Sequence, residues 1–293
     1  MKELFARLER SGVPFRRDAS LAPLTWLGVG GVTPLLAEPV TAEQVVAVHK
    51  AAEDLGVRLE RLGSGANLLV ADGALPLAVL KPDLKGIRVA EGLAEADSGA
   101  NLEAFIQRTV EAGLAGLEGL VGIPASVGGA VAMNAGGKHG ETKDALVSIR
   151  AADSAGIRIL PAASCGFGYR RSSLGGATVV SASFALRPGK PEDLKERART
   201  IREEKRRTQP LQDASAGCIF RNPPGQSAGR LIDLAGLKGL REGAAQVSPL
   251  HANFIVNLGG AAADDIRRLI DRVRSGVRRA HGVDLELEVV TWP

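Results

Sequence analysis

An α+β protein of two or three lobes is the fold class the sequence predicts. Its 293 residues exceed the usual reach of a single hydrophobic core, and its 45% hydrophobic content is that of a globular chain. Segments of helical period alternate with short strand-like runs, without an internal repeat or a low-complexity tract. A third observation bears on function: Gly122 to Glu141 concentrates glycines, small residues, Pro124 and Asn134 in a stretch almost without charge. Glycine lacks a Cβ and tolerates positive φ, so such backbone suits close approach, with an extended cofactor as the first candidate. A glycine-rich turn buried in an ordinary core stays open as the alternative.

The first residues, MKELFARLERSG, mix charges with Leu and Phe and show neither an apolar secretory core nor a small-residue cleavage site, so a cytoplasmic location is expected. Thr41 followed by Gln44 has the form of a capping box opening a helix over Ala42–Leu55, with a stop at Gly56. Residues 57–62 alternate like a half-buried strand and run into Gly63-Ser64-Gly65-Ala66-Asn67 and the apolar Leu68-Leu69-Val70. That turn offers bare N–H groups and two polar side chains to a phosphate; a hairpin turn without a ligand accounts for it equally well. Asn101 is placed to cap a helix over residues 102–112 that ends at Gly113. The uncharged run 119–137 is too rich in glycine for a spanning helix, so no membrane association is expected. Its Gly137-Lys138-His139 departs from a phosphate-binding P-loop, which requires Ser or Thr after the lysine.

Farther on, residues 191–207 form a highly charged helix and residues 263–280 a last helix. A C-terminal strand then places Glu286 and Glu288 on one face and Leu285, Leu287 and Val289 on the other. Cys165 and Cys218 cannot make a disulfide framework, and four scattered histidines offer no zinc spacing, so no metal is expected. A net charge of +4 favours an anionic ligand, whereas 3% aromatic content and dispersed cations argue against nucleic acid. No obligatory protein partner is evident.

Six motifs occur in order: Thr25-Trp26-Leu27-Gly28-Val29-Gly30-Gly31; residues 62–70; residues 122–141; Phe167-Gly168-Tyr169-Arg170-Arg171-Ser172; Ser215-Ala216-Gly217-Cys218-Ile219-Phe220-Arg221-Asn222-Pro223; and Gln246-Val247-Ser248 with His251 to Asn257. Together they resemble the UDP-N-acetylenolpyruvoylglucosamine reductase family of peptidoglycan synthesis, over nearly the whole chain. The resemblance implies a two-lobed FAD-binding fold of the vanillyl-alcohol-oxidase (PCMH) type plus a C-terminal α+β substrate-binding domain. Boundaries are expected at 1–83 and 84–188 for the FAD-binding lobes and 189–293 for the substrate domain. It also implies noncovalent FAD, NADPH as reductant and UDP-N-acetylglucosamine enolpyruvate as substrate.

Carried over residue by residue, the resemblance makes Arg170 the cation facing the substrate carboxylate and Glu288 the catalytic carboxylate. Cys218 stands where the family commonly has a proton-donating serine, so the thiol is expected to replace the hydroxyl. FAD is expected on Gly63, Ser64, Gly65, Ala66 and Asn67 and on Gly122, Ile123, Pro124, Ser126, Gly128, Gly129 and Asn134. In this expectation main-chain N–H groups from both turns hold the pyrophosphate without an arginine clamp. Tyr169, Arg207, Asn222 and Arg230 are the substrate-binding candidates, although Thr208 occupies a place where the family often has lysine. Lys205 and Arg206 compete with Arg207 and Arg230 for the substrate diphosphate. The alternative function is an FAD-dependent oxidase or dehydrogenase of a small hydroxy acid on the same fold. A noncatalytic nucleotide-binding module is a further class, which would have no reason to combine Arg170, Cys218 and Glu288.

Overall fold

The computed structural model describes residues 1–90 and 92–293. The chain forms two compact units: Met1–Ala19, Pro34–Ser64 and Leu77–Glu203 make the first, and Ser20–Thr33, Gly65–Pro76 and Glu204–Pro293 the second. Both expected FAD-binding lobes thus contribute to one unit, while Ser20–Thr33 and Gly65–Pro76 cluster with the C-terminal part.

The first unit opens with helix α1 (Lys2–Arg10), whose Leu4 and Leu8 are one turn apart and fully buried. Arg7 of α1 reaches Asp54 at 2.7 Å, at the end of α2 (Ala42–Asp54). As the sequence predicts, the Thr41 side chain accepts a hydrogen bond from Gln44 N, and Val45, Val48 and Ala51 point inward at helical spacing. A four-stranded sheet runs in the order Phe15–Ser20, Val32–Ala37, Ala78–Leu80, Leu59–Arg61, with the last three strands mutually parallel. An antiparallel five-stranded sheet follows, in the order Gly156–Pro161, Leu146–Asp153, Thr178–Ala185, Leu93–Asp97, Ile87–Ala90. Helix α3 (Leu102–Glu111) buries Leu102, Phe105, Ile106 and Val110, and Asn101 caps it by accepting from Ala104 N at 2.9 Å. Helix α4 (Val127–Ala132) lies within the glycine-rich segment, capped by Ser126. Helix α5 (Pro191–Thr208), whose last residues from Glu204 belong to the second unit, turns Leu194, Ala198 and Ile201 into the core and leaves most of its charges exposed.

The second unit holds an antiparallel sheet in the order Ala214–Cys218, Phe254–Asn257, Ala245–Val247, Arg241–Glu242. Helix α6 (Ala228–Leu234) and helix α7 (Ala263–His281) share its core. Ile266, Leu269, Ile270, Val273 and Val277 of α7 form one buried stripe, each worth about 1.5–3 kcal/mol relative to exposure. A parallel pair joins Leu68–Val70 to Val290–Trp292. Leu59–Arg61 and Leu68–Val70 therefore flank no hairpin: each pairs elsewhere, and the turn between them carries the chain from one unit to the other. Among the described residues no helix is long and apolar enough to cross a membrane.

Candidate active site

A cavity of about 560 Å³ opens in the first unit beside the carboxyl ends of the parallel strands. Three short stretches meet in its wall without large side chains. A Cβ at Gly63 would lie 2.8 Å from Ser126 Oγ, and one at Gly128 would lie 2.7 Å from Ser98 Cβ. The segment Ser172–Val179 also lines the cavity and is held at several points. Ser172 Oγ donates to Ala132 O at 2.7 Å, Arg61 donates to Gly176 O, and Thr178 Oγ1 bonds His49 Nε2 at 2.8 Å. Burial and the nearby Arg61 charge push the His49 imidazole below its ordinary range, so it stays neutral near pH 7.

The structure sorts the expected cofactor residues. Gly63, Ser64, Ser126, Gly128 and Gly129 line the cavity. Gly65, Ala66 and Asn67 belong to the second unit. There a Cβ on Gly65 would fall 2.0 Å from Leu24 O, and Asn67 Nδ2 donates to Glu288 O at 3.1 Å. Gly122, Ile123, Pro124 and Asn134 do not line the cavity. Asn134 is fully buried with its amide saturated: it donates to Glu141 Oε2 and Gly168 O and accepts from Lys143 N. Asn134 is thus engaged in holding the turn that carries Arg170 and does not line this cavity.

The expected amide cradle of residues 122–129 also changes. Gly122 N donates to Glu103, Ile123 N to Leu120 O, Ala125 N to Ile123 O, Val127 N to Ala100 O, Gly128 N to Ser98 O and Gly129 N to Ser126 Oγ. Pro124 has no N–H, so, Ser126 apart, this segment turns its donors toward its own scaffold. The N–H groups of Gly63, Ser64 and Ser126, all in the cavity wall, have no acceptor among the described residues.

Arg170 sits on a tight turn in which Gly168 and Arg171 exchange main-chain hydrogen bonds, and its own φ is +55°. This left-handed geometry is uncommon for arginine and marks a constrained position. Its guanidinium donates to Gly136 O at 2.7 Å, lies 3.7 Å from Glu141 Oε1 and covers the Tyr169 ring at 5.0 Å. Burial raises the Glu141 carboxyl, but hydrogen bonds from Lys143 and Asn134 and the charges of Lys143 and Arg170 outweigh it and hold the group below the ordinary carboxylate range. Arg170 therefore keeps an ionised neighbour and a fixed direction.

In the second unit, Cys218 ends its strand just after an irregularity in register at Gly217, whose φ is +72°. The adjoining residue, Ile219, accepts through its carbonyl from Glu288 N at 2.8 Å, and Phe220 bridges Leu287. Cys218 and Glu288 thus occupy neighbouring backbone segments. Asn253 holds this junction: it accepts from Phe220 N at 3.0 Å and donates to Phe220 O at 2.8 Å, while being 3% exposed. Neither cysteine forms a disulfide. Burial raises the Cys165 thiol, consistent with an inert core position.

Among the substrate candidates, Tyr169 is 44% exposed and stacks with Arg170 in the first unit. Arg207, in the last turn of α5, and Arg230, on α6, are exposed in the second unit. Asn222 accepts from Ala228 N at 2.9 Å and so secures the start of α6.

Comparison with known proteins is decisive. Residues 209–292 match the C-terminal domain of UDP-N-acetylenolpyruvoylglucosamine reductase, and residues 33–159 match an FAD binding domain. The reductase of Anaeromyxobacter sp. (strain Fw109-5) is 43% identical over 276 residues, covering 93% of this chain and 87% of that protein. The Myxococcus xanthus reductase is 40% identical over 98% of this chain and 95% of its own length. The chain belongs to the UDP-N-acetylenolpyruvoylglucosamine reductase family. The crystal structure of the family member MurB from Thermus caldophilus superposes with a TM-score of 0.83 at 39% identity, covering 96% of this chain and 99% of that one. The glucose dehydrogenase Phl p 4.0202 superposes with a TM-score of 0.52 at 17% identity over 64% of this chain, a likeness of fold alone.

Membership makes the chain an FAD-dependent oxidoreductase, and the first-unit cavity fits that cofactor. Its walls carry the unengaged amides of Gly63, Ser64 and Ser126 and a buried Ser98 hydroxyl without a protein partner. Sequence reasoning missed Arg61, Lys81, Ser98 and the 173–179 segment of the cavity wall, which no local motif singles out. It also missed the roles of Asn134 and Asn253 in holding the backbone near Arg170 and Cys218.

Proposed function

We propose that this chain catalyses the NADPH-dependent reduction of UDP-N-acetylglucosamine enolpyruvate to UDP-N-acetylmuramate, a cytoplasmic step of peptidoglycan precursor synthesis. The observation that carries the reading is the 43% identity to a reductase of that name across 93% of the chain. When bound, FAD supplies the two-electron relay, accepting hydride from NADPH and delivering it to the enolpyruvyl β-carbon.

The protein's own residues manage the charge and the proton. Hydride addition leaves negative charge spread into the substrate carboxylate, which calls for a preoriented cation. Arg170 is suited to that task because the turn geometry, the Gly136 carbonyl and the Tyr169 ring fix its guanidinium. Cys218 gives its thiol proton to the α-carbon; an unperturbed thiol, with a pKa of about 8.5, is a far stronger acid than a serine hydroxyl. Glu288 is the hydrogen-bonding carboxyl that steadies the intermediate, and its backbone is held by Ile219 and Asn67. Tyr169, Asn222, Arg207 and Arg230 are assigned to substrate binding, with the two arginines facing the diphosphate.

The oxidase alternative is less well supported: Phl p 4.0202 covers 64% of this chain, against 96% for the Thermus caldophilus reductase. An anaerobic two-step titration tests the reading. NADPH should bleach the flavin band, and UDP-N-acetylglucosamine enolpyruvate should restore it. Flavin that is reduced but not reoxidised by this substrate would reject the assignment.

A further inference from the structure

The anion site of the first-unit cavity is built from side chains that no motif marks. We propose that Lys81 and Arg61 supply the counter-charge for the cofactor's diphosphate, with the Ser98 hydroxyl as an added donor. The inference rests on the reading that FAD occupies this cavity, and three observations carry it.

Topology comes first. Arg61 ends the Leu59–Arg61 strand and pairs in parallel register with Leu80, which Lys81 directly follows. Two cations twenty positions apart in sequence are thereby placed on adjacent carboxyl ends of a parallel sheet, the edge where ligands of such sheets bind. Both line the cavity.

Electrostatics comes second. Lys81 is half-buried, and no carboxylate among the described residues pairs with it. Asp83, the acid in the cavity wall, is instead held by Lys85 at 2.6 Å. Arg61 donates to the Gly176 carbonyl, a neutral acceptor that leaves its charge uncompensated. Lys81, drawn partly out of water without an anion, is unfavourably placed until a ligand provides one, and the exposed Arg61 adds a second positive charge to the same wall.

Donor supply comes third. The amides of residues 122, 123, 125 and 127–129 are engaged within the protein, and among the named turns those of Gly63, Ser64 and Ser126 are left to face a ligand in this wall, too few to neutralise a diphosphate without side-chain charge. Ser98 Oγ is buried without a partner although its residue lines the cavity and is 5% exposed. As a hydroxyl it is able to donate to a phosphate oxygen, which would supply the partner it lacks.

Flavin-stripped full-length protein tests the assignment by binding rather than turnover. FAD affinity is read from flavin fluorescence, and ADP and adenosine affinities from calorimetry, for Lys81→Gln, Arg61→Gln and Lys81→Arg. Each glutamine variant should weaken FAD and ADP roughly tenfold and leave adenosine within about twofold, whereas Lys81→Arg should bind like the parent. Unchanged FAD affinity in both glutamine variants, or an equal loss for ADP and adenosine, would overturn the proposal. Ala132→Phe, at an exposed wall position, separates the two levels of inference. If it binds FAD like the parent, the cavity reading itself fails. If it loses FAD while the glutamine variants do not, the Lys81 and Arg61 assignment alone fails.

Discussion

Replacing Asn253 with leucine should destabilise the second unit more than any polar-to-apolar change on its surface. The side chain is 3% exposed, and its carboxamide satisfies both main-chain groups of Phe220, which is itself 1% exposed. Leucine fills a similar volume but offers neither a donor nor an acceptor. Each main-chain group left buried and unpaired costs about 1–3 kcal/mol, so the two together cost roughly 2–6 kcal/mol. At roughly 2 °C per kcal/mol for a chain of this size, the melting temperature should fall by about 4–12 °C. Phe220 lies two residues from Cys218, so turnover measured well below the melting point should fall as well. Asn253→Asp adds a test of mechanism. Its carboxylate can still accept from Phe220 N but repels Phe220 O, whereas the protonated acid can donate again. Its stability deficit relative to the parent should therefore narrow as the pH falls from 7 to 5. An Asn253→Leu variant melting within about 1 °C of the parent would refute the reasoning.

Other expectations follow from the same geometry. Cys218→Ser should retain substantial turnover and Cys218→Ala should lose roughly 10²–10⁴ of it, the usual weight of a general acid, as measured in the flavin reoxidation step; unchanged turnover in the alanine variant would remove Cys218 from the mechanism. His49 has a folded-state pKa below its unfolded value because burial and Arg61 disfavour the charged ring. Its contribution to stability is therefore present above about pH 6.5 and lost as the pH falls through the folded pKa, so urea midpoints should drop on acidification, and less steeply in His49→Gln. Gly65→Ala should be severely destabilising, by more than about 3 kcal/mol, because φ is +69° and the new Cβ would sit 2.0 Å from Leu24 O; a parent-like urea midpoint would show that the turn can yield.

Much of the scaffold was legible because its signals are local. The Thr41 and Asn101 caps accept from Gln44 N and Ala104 N as their sequence contexts predict, and the apolar stripe of the last helix is buried where the 3.6-residue period places it. The glycine-rich segment was legible as a close-approach element but not in what it approaches. A Cβ on Gly119 would lie 2.2 Å from His139 O, and one on Gly136 would lie 2.3 Å from Gly140 O, so at those points the missing side chain admits the protein's own backbone. Glycine content reports tight contact without distinguishing chain from ligand. Arg61 and Lys81 were invisible for the converse reason: parallel register sets their strand ends side by side, and nothing in the residues between them announces that pairing.

The asparagines of the sequence motifs share a physical task that their conspicuous positions did not disclose. Asn67 donates to Glu288 O, Asn253 brackets Phe220, and Asn257 donates to Leu27 O while accepting from Gly259 N and Ala261 N. In each case the partner lies on a segment that no regular ladder fully pairs, so its main-chain groups need a side chain to satisfy them. A carboxamide suits this because it donates and accepts from one rigid plane and carries no charge that burial would penalise. An ionised aspartate, which only accepts, would leave the donating half unmet. The backbone beside Cys218 and at Glu288 is thus held by neutral amides, so the thiol and the carboxylate can be positioned without adding a charge that would shift their proton affinities.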